Sequence, residues 1–412
     1  MTGRMDAGRK MGFTRRGMLA LGGVGAAGAW LNGYRPDPRG PAVPAGRAAE
    51  ATALGIPDER YMLSAPGGTD ALVRGLASAT HRRQVAMGLP ASAEPLLDKR
   101  VLALSGGGEN GAFGAGVLSG WSAHGSRPTF HLVTGVSVGA LIAPFAFIGS
   151  SRDAELRDLF SNLTVDKVMR PRGLVGGAVG ESLADNAPLL ATISEHLDAR
   201  MMAEIARGHA EGRLLLVGTV NLDAQAAVWW NLGAIAASGH RGALNLMRQV
   251  LLASAAIPGL FPPSMIDVTL DGRRFEEMHV DGGALAQTFV YPAELGAQRR
   301  ERMRRGLPVP SAEAYIICNT RLHGAPMPVG LWSISIAERA IAALIRANGL
   351  GDVWRIHDNT ERDGIGFNLA VIGDDFTPMP VARFDPGYMR ALFHYAEDKA
   401  RSGYDWLKAP PV

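Results

Sequence analysis

Ser137 lies in the stretch Gly135-Val136-Ser137-Val138-Gly139, a spacing that can turn a serine hydroxyl into a nucleophile. A free hydroxyl is a poor nucleophile until it stands clear of the backbone and faces a base. Glycines two residues to either side permit the tight strand-to-helix turn that puts it there. Upstream, Gly106-Gly107-Gly108 follow an apolar run. Consecutive glycines bring backbone N–H groups close to a bound group. That suits a phosphate at a helix N-terminus or the oxyanion of an acyl-transfer intermediate. The spacing Gly106-x-Gly108-x-x-Gly111 also fits a dinucleotide loop, but no Lys-Ser/Thr pair follows to make a nucleotide P-loop. A serine turn one strand–helix unit later favours the oxyanion use. Downstream, Asp281-Gly282-Gly283 sets a carboxylate before two residues without side chains. A carboxyl with its ordinary pKa of about 4 is a feeble base, and burial would raise it and improve proton acceptance. Alone, that tripeptide is most often a turn; the other two motifs make it a candidate base.

These residues need strands that end where the motifs begin, because functional loops of an α/β sheet collect at the carboxyl ends of its strands. Residues 101–104 and 132–134 read as buried parallel strands, each running into a motif and then into a helix, over 112–121 and 140–148. Further strands are expected over 214–220, 226–230, 275–280, 314–318 and 367–372. A helix is expected over 244–256, ended by Pro258, and amphipathic helices over 334–347 and 388–406. Strands alternating with helices predict an α/β fold, a three-layer α/β/α sandwich with a mostly parallel central sheet.

The 412 residues, 47% hydrophobic and 20% charged, are enough for a sizeable core, and the 52 glycines follow no collagen-like period. Cys318 is the only cysteine, so no intrachain disulfide can form. The net charge of +3 is misleading. Residues 1–29 carry five basic side chains against Asp6, which leaves the rest of the chain one charge negative. Nothing there points to nucleic acid. The leader itself pairs Arg15-Arg16 with an apolar, glycine-rich run and ends in Ala27-Gly28-Ala29. This is expected to be a twin-arginine-like export signal cleaved after Ala29, giving a periplasmic or secreted protein; the alternative is an uncleaved leader in the cytoplasm or at the inner membrane. Residues 30–97 read as a linker and N-terminal extension. Arg299, Arg300, Arg302, Arg304 and Arg305 form a basic run, read first as solvated and second as a contact for anionic lipid.

The three motifs together resemble the patatin-like phospholipases, strongly over about residues 99–295 and hardly at all in the flanks. The resemblance implies a catalytic domain at 98–310, with 311–412 completing or flanking it. It implies a Ser–Asp dyad of Ser137 as nucleophile and Asp281 as base. Gly107 and Gly108 would hold the oxyanion, with Gly106 shaping the loop, and Gly111, Gly135, Gly139, Gly282 and Gly283 would support the motifs. The stretch 253–263 would pack near the site. The reaction implied is hydrolysis of a lipid or membrane-interface acyl ester, with peripheral membrane contact and no metal or organic cofactor. Three departures stand out: Ser105 where the family often has Asp, Glu109-Asn110 where it often has a basic residue, and Val138 where Thr is frequent. Two other readings stay open. One is an α/β-hydrolase-type triad using His323, His357 or His394; the other is an inactive lipid-binding protein. His279, two residues before Asp281, reads as a surface residue or a supporting one, and Glu109 as a solvated carboxylate.

Overall fold

Short apolar runs become strands in the computed structural model, which describes residues 39–90, 96–172, 182–321, 328–331 and 333–411. The expected leader at 1–29 and His323 lie outside them. Every element below belongs to the unit Ala42–Val412. In chain order the first half contains β1 (Arg60–Tyr61), α1 (Gly68–Ala86), β2 (Lys99–Leu104), α2 (Gly111–His124), β3 (Leu132–Val136), α3 (Val138–Ile148), α4 (Asp153–Ser161), α5 (Ala187–His196) and α6 (Ala199–Ala210). Then follow β4 (Leu214–Asn221), β5 (Ala226–Asn231), α7 (Ala243–Ser254), β6 (Ser264–Leu270), β7 (Arg273–Asp281) and α8 (Ala293–Arg304). The chain finishes with β8 (Ala312–Cys318), α9 (Ser333–Asp363), β9 (Gly366–Val371) and α10 (Pro386–Arg401).

The main sheet runs β1-β5-β4-β3-β2-β8-β9. Its five strands from β4 to β9 are parallel. Strand β5 is antiparallel to β4, and β1 to β5. The hairpin of β6 and β7 joins through β7, which pairs antiparallel with the last three residues of β4. The two-residue period of the strands divides their side chains between two helical layers. Leu102, Leu104, Val133, Leu215 and Val217 face α2, α3, α7 and α10. Ala103, Ile316 and Leu369 pack on Val353 and Ile356 of α9, and Leu132, Leu214 and Leu216 on Leu72 and Ala79 of α1. Each fully buried aliphatic side chain contributes roughly 1.5–3 kcal/mol, so this alternation fixes the register. Helix α10 lies close along α2 because Gly116 and Gly120 carry no Cβ; one there would collide with the Phe393 and Glu397 carbonyls.

The fold is the expected three-layer α/β arrangement. Strand β6 had no counterpart in the sequence reading: it buries only alternate residues, and Asp267 and Thr269 break its apolar signal. Helix α9 continues to Asp363, well past 347, and the helix starting near 388 ends at Arg401. The stretch read as linker and extension supplies β1 and α1, and it buries Ala51, Ala53, Tyr61 and Leu72. No helix among the described residues is long and apolar enough to cross a membrane.

Candidate active site

Ser137 and Asp281 meet because β4 serves two strands in succession. Its residue Gly218 pairs with Val136, the last residue of β3, and the next residue, Thr219, pairs with Asp281, the last of β7. The ends of β3 and β7 are therefore neighbours along one strand, and the residues 144 positions apart in the chain come together. Both are buried, Ser137 at 7% exposure and Asp281 at 2%. Ser137 is one of few non-glycine residues with positive φ, at φ 55 and ψ −129. That conformation is costly for an L-residue and persists only where the surroundings enforce it. Here they do. The Ser137 N–H donates to Ser254 Oγ at 3.0 Å, and Ser254 Oγ donates to the Gly218 carbonyl at 2.7 Å. The Asp281 N–H is taken by the Ala256 carbonyl at 2.9 Å. The end of α7 thus holds both motifs.

The flanking glycines are required by crowding. A Cβ on Gly139 would lie 2.6 Å from the Ser105 carbonyl oxygen and collide with that of Leu104, so the first turn of α3 rests on the end of β2. On Gly135 it would meet the Gly139 backbone, on Gly282 the Gly218 carbonyl, and on Gly111 the Val138 side chain. A Gly107 Cβ would overlap the Asn319 carbonyl, whereas Gly108, at φ 58, has open space beside it. Among the described residues no protein acceptor takes the N–H of Gly107 or Gly108.

Sequence reasoning did not single out what pins this loop. Asn319, fully buried just after β8, donates from Nδ2 to the Ser105 carbonyl at 2.8 Å and accepts the Gly114 N–H at 3.0 Å. Its backbone N–H donates to Ser105 Oγ at 2.8 Å, and that hydroxyl donates to the Gly106 carbonyl. Ser105 is thus a structural knot. Glu109 is not a solvated carboxylate: it accepts the Phe384 N–H, and burial raises its pKa. Asn110 Oδ1 accepts the Tyr388 hydroxyl at 2.7 Å. The two residues standing where a basic side chain was expected tie the loop to the start of α10. Only Ser254 lay in a stretch the sequence pointed to; Asn319 sits in no motif.

The electrostatics favour a base at Asp281. Burial pushes its carboxyl up to about 7, against hydrogen bonds from the Ser137 side chain and the Gly283 N–H. The Gly283 N–H reaches Asp281 Oδ1 at 2.8 Å. Helix α2 begins just past the glycine loop and α3 just after Ser137, so the positive ends of two helices adjoin the glycine loop and the serine turn. The histidines lie elsewhere. His357 packs edge-on to Phe367 and Trp354, and His394 is exposed on α10 beside Glu397. His279 is fully buried rather than on the surface, with Nδ1 2.9 Å from Thr219 Oγ1 and Nε2 3.1 Å from Glu277. Among the described residues no group of three or more His, Cys, Asp or Glu side chains is placed to hold a metal ion. In the basic run, Arg299 donates to the Asp363 and Pro310 carbonyls, Arg300 pairs with Asp363, and Arg304 and Arg305 pair with Glu301.

A family model described as patatin-like phospholipase matches residues 102–294, which places that span among lipid acyl hydrolases at the level of the family. Among solved structures, the crystal structure of VipD from Legionella pneumophila is similar at 11% identity and a TM-score of 0.34, covering 75% of this chain and 67% of that one. No curated protein matches the chain. The matched span opens within β2 and closes in the first turn of α8, and it takes in the glycine loop, the serine turn and Asp281; over that span the chain is similar to the patatin-like phospholipases.

Proposed function

We propose that this chain hydrolyses lipid acyl esters with Ser137 as nucleophile and Asp281 as its base. The observation that carries the reading is the register on β4, where adjacent residues pair with Val136 and Asp281. Asp281 takes the proton of the Ser137 hydroxyl as Oγ attacks the ester carbonyl carbon. The N–H groups of Gly107 and Gly108 receive the resulting oxyanion; one such donor is commonly worth about 10²–10³ in rate. The tetrahedral intermediate collapses, the ester C–O bond breaks, and the leaving alkoxide takes the proton back from Asp281. Water, deprotonated by the same carboxylate, then cleaves the acyl-enzyme and releases the fatty acid. A buried carboxylate whose pKa lies near neutrality suits both proton transfers better than a solvated one.

Ser137→Ala and Asp281→Asn, assayed as folded protein on a p-nitrophenyl acyl ester and on phospholipid vesicles, should each lose about a thousandfold or more in turnover. Full activity in either variant would remove the dyad.

A further inference from the structure

Helix α9 is longer than the sheet it flanks. Its 31 residues span about 46 Å, whereas the seven residues of β8 span about 23 Å. Its second half packs on the sheet, where Val353 and Ile356 lie against Ala103, Ile316 and Leu369. The helix then ends at Asp363, just before β9 starts at the amino edge, so it runs back from the carboxyl ends of the strands. Gly349 marks the level at which the strands stop. It packs against Gln287 Cγ at 3.4 Å, and the Gln287 amide borders Gly106 and Gly283. Arg346 and Leu350 line a small cleft with Ser105, Cys318 and Thr320, which stand at the ends of β2 and β8. Residues 333–345 therefore extend past the carboxyl edge by about 20 Å.

This projecting half is apolar. Between Ile336 and Leu350 only Glu338, Arg339 and Arg346 carry charge. No described side chain from Ile336 to Gly351 is buried, and Leu344 is 64% exposed. None of them joins the hydrophobic clusters that cover the sheet. Other segments bring apolar side chains to the same end. Thr320 Oγ1 donates to the Gly106 carbonyl at 3.2 Å, and Arg321 donates to the Phe376 and Pro378 carbonyls at 2.8 and 3.0 Å. With the Phe384 N–H on Glu109, these bonds strap residues 376–384 beside the glycine loop. Val381 in that strap is 92% exposed and Leu331, just before α9, is 96% exposed; no other large apolar side chain among the described residues is exposed as far.

Exposed apolar surface gathered at one end of a folded chain marks contact with a protein or a membrane. Position decides between them here. A second copy seated on this end would stand over the glycine loop, whereas a lipid layer would present its esters to it. We propose that this end docks on a lipid surface, with the projecting half of α9 and the strap around Val381 sunk into the headgroup boundary. This rests on the site taking a lipid ester. The apolar side chains enter the boundary, and two arginines against one glutamate on the projecting stretch suit a layer containing anionic lipid.

The test measures binding apart from turnover. Full-length Ser137→Ala protein is sedimented with vesicles of equimolar phosphatidylcholine and phosphatidylglycerol, with and without Leu331→Ser, Ile336→Ser and Leu344→Ser together. The triple change should lower vesicle partitioning about tenfold or more. Residues 1–29 are common to both proteins, so the difference reads the patch. Val85→Ser with Met87→Ser removes two exposed apolar side chains at the opposite edge of the sheet, where Arg83 donates to the Asp98 carbonyl just before β2, and should leave binding unchanged. In protein that keeps Ser137, the triple change should cut hydrolysis of the same vesicles in step with binding. It should leave kcat/KM for soluble p-nitrophenyl butyrate and fluorophosphonate labelling of Ser137 as they were. Absence of vesicle binding before the triple change overturns the inference, as does undiminished binding after it or an equal loss in the Val85 and Met87 pair. A triple variant that turns from dimer to monomer by light scattering while still binding vesicles would assign the patch to a second copy instead. Failure of the wild type to hydrolyse either ester would count against the proposed function, and the sedimentation assay, which needs no turnover, still decides the docking.

Discussion

At the scale of single residues, the site turns on one carboxyl held in two tensions. Burial raises the Asp281 pKa to about 7 while Ser137 and Gly283 donate to it. A base works only when ionised, so kcat/KM should climb with pH below about 7 and level off above it, and a flat profile from about pH 5 to 8 would contradict the role. Stability runs the other way. The folded state keeps the proton to about 7 and the ordinary value is 3.8, so the contribution is complete below about pH 4 and is lost as pH rises through 7. Asp281→Asn cannot ionise and avoids that loss, worth up to about 4 kcal/mol. Denaturant titrations should show the variant gaining on wild type from about pH 5 to 8. At this scale the sequence was most legible where chemistry demands glycine. Gly135, Gly139 and Gly282 stand where a Cβ would strike backbone, and backbone collisions leave few substitutes. Asn319 and Gln287 were not legible, since an amide acts through where the chain folds back and no local spacing marks it.

At the scale of elements, the ends of β3 and β7 are brought together by β4 and fastened by α7. Strands such as β2, β3 and β4 could be read because burial on both faces makes them continuous apolar runs. The switch of β4 from one partner to another was hidden, because a register is a relation between segments, and β6, half polar, hid the hairpin that delivers Asp281. Ser254 is the joint between these elements. Ser254→Ala would leave the buried Ser137 N–H and the Gly218 carbonyl without their partner, at a cost of about 1–3 kcal/mol. It should also lower kcat with little change in KM, because it loosens the elbow and leaves the substrate's binding surfaces in place. Steady-state kinetics alongside thermal melting checks both effects; unchanged kcat in a destabilised variant would confine Ser254 to a packing role.

At the scale of the molecule, the segment before the matched span is locked to the strand that carries Asp281. Glu277 and His279 lie on the same face of β7 as Asp281, and Glu277, fully buried, pairs with Arg60 of β1. Burial opposes the Glu277 charge, but His279 and Arg60 outweigh it and hold the carboxyl below its usual range. Arg60 also donates to the Ala48 and Ala51 carbonyls at 3.1 and 2.6 Å, drawing residues 48–60 onto the sheet. Removing one partner of a buried ion pair strands the other, typically at about 3–5 kcal/mol, whereas replacing both with apolar groups is often close to neutral. Glu277→Leu should therefore be markedly destabilised, and Arg60→Met combined with Glu277→Leu should recover part of the loss. The opposite order, with the double variant below the single one by denaturant midpoint, would mean that the two carbonyls and Glu59, 3.7 Å away, satisfy Arg60 without Glu277. Because the pair joins β1 to β7, the single variant should also lose fluorophosphonate labelling at Ser137 sooner on heating than the wild type, in step with its lowered melting point.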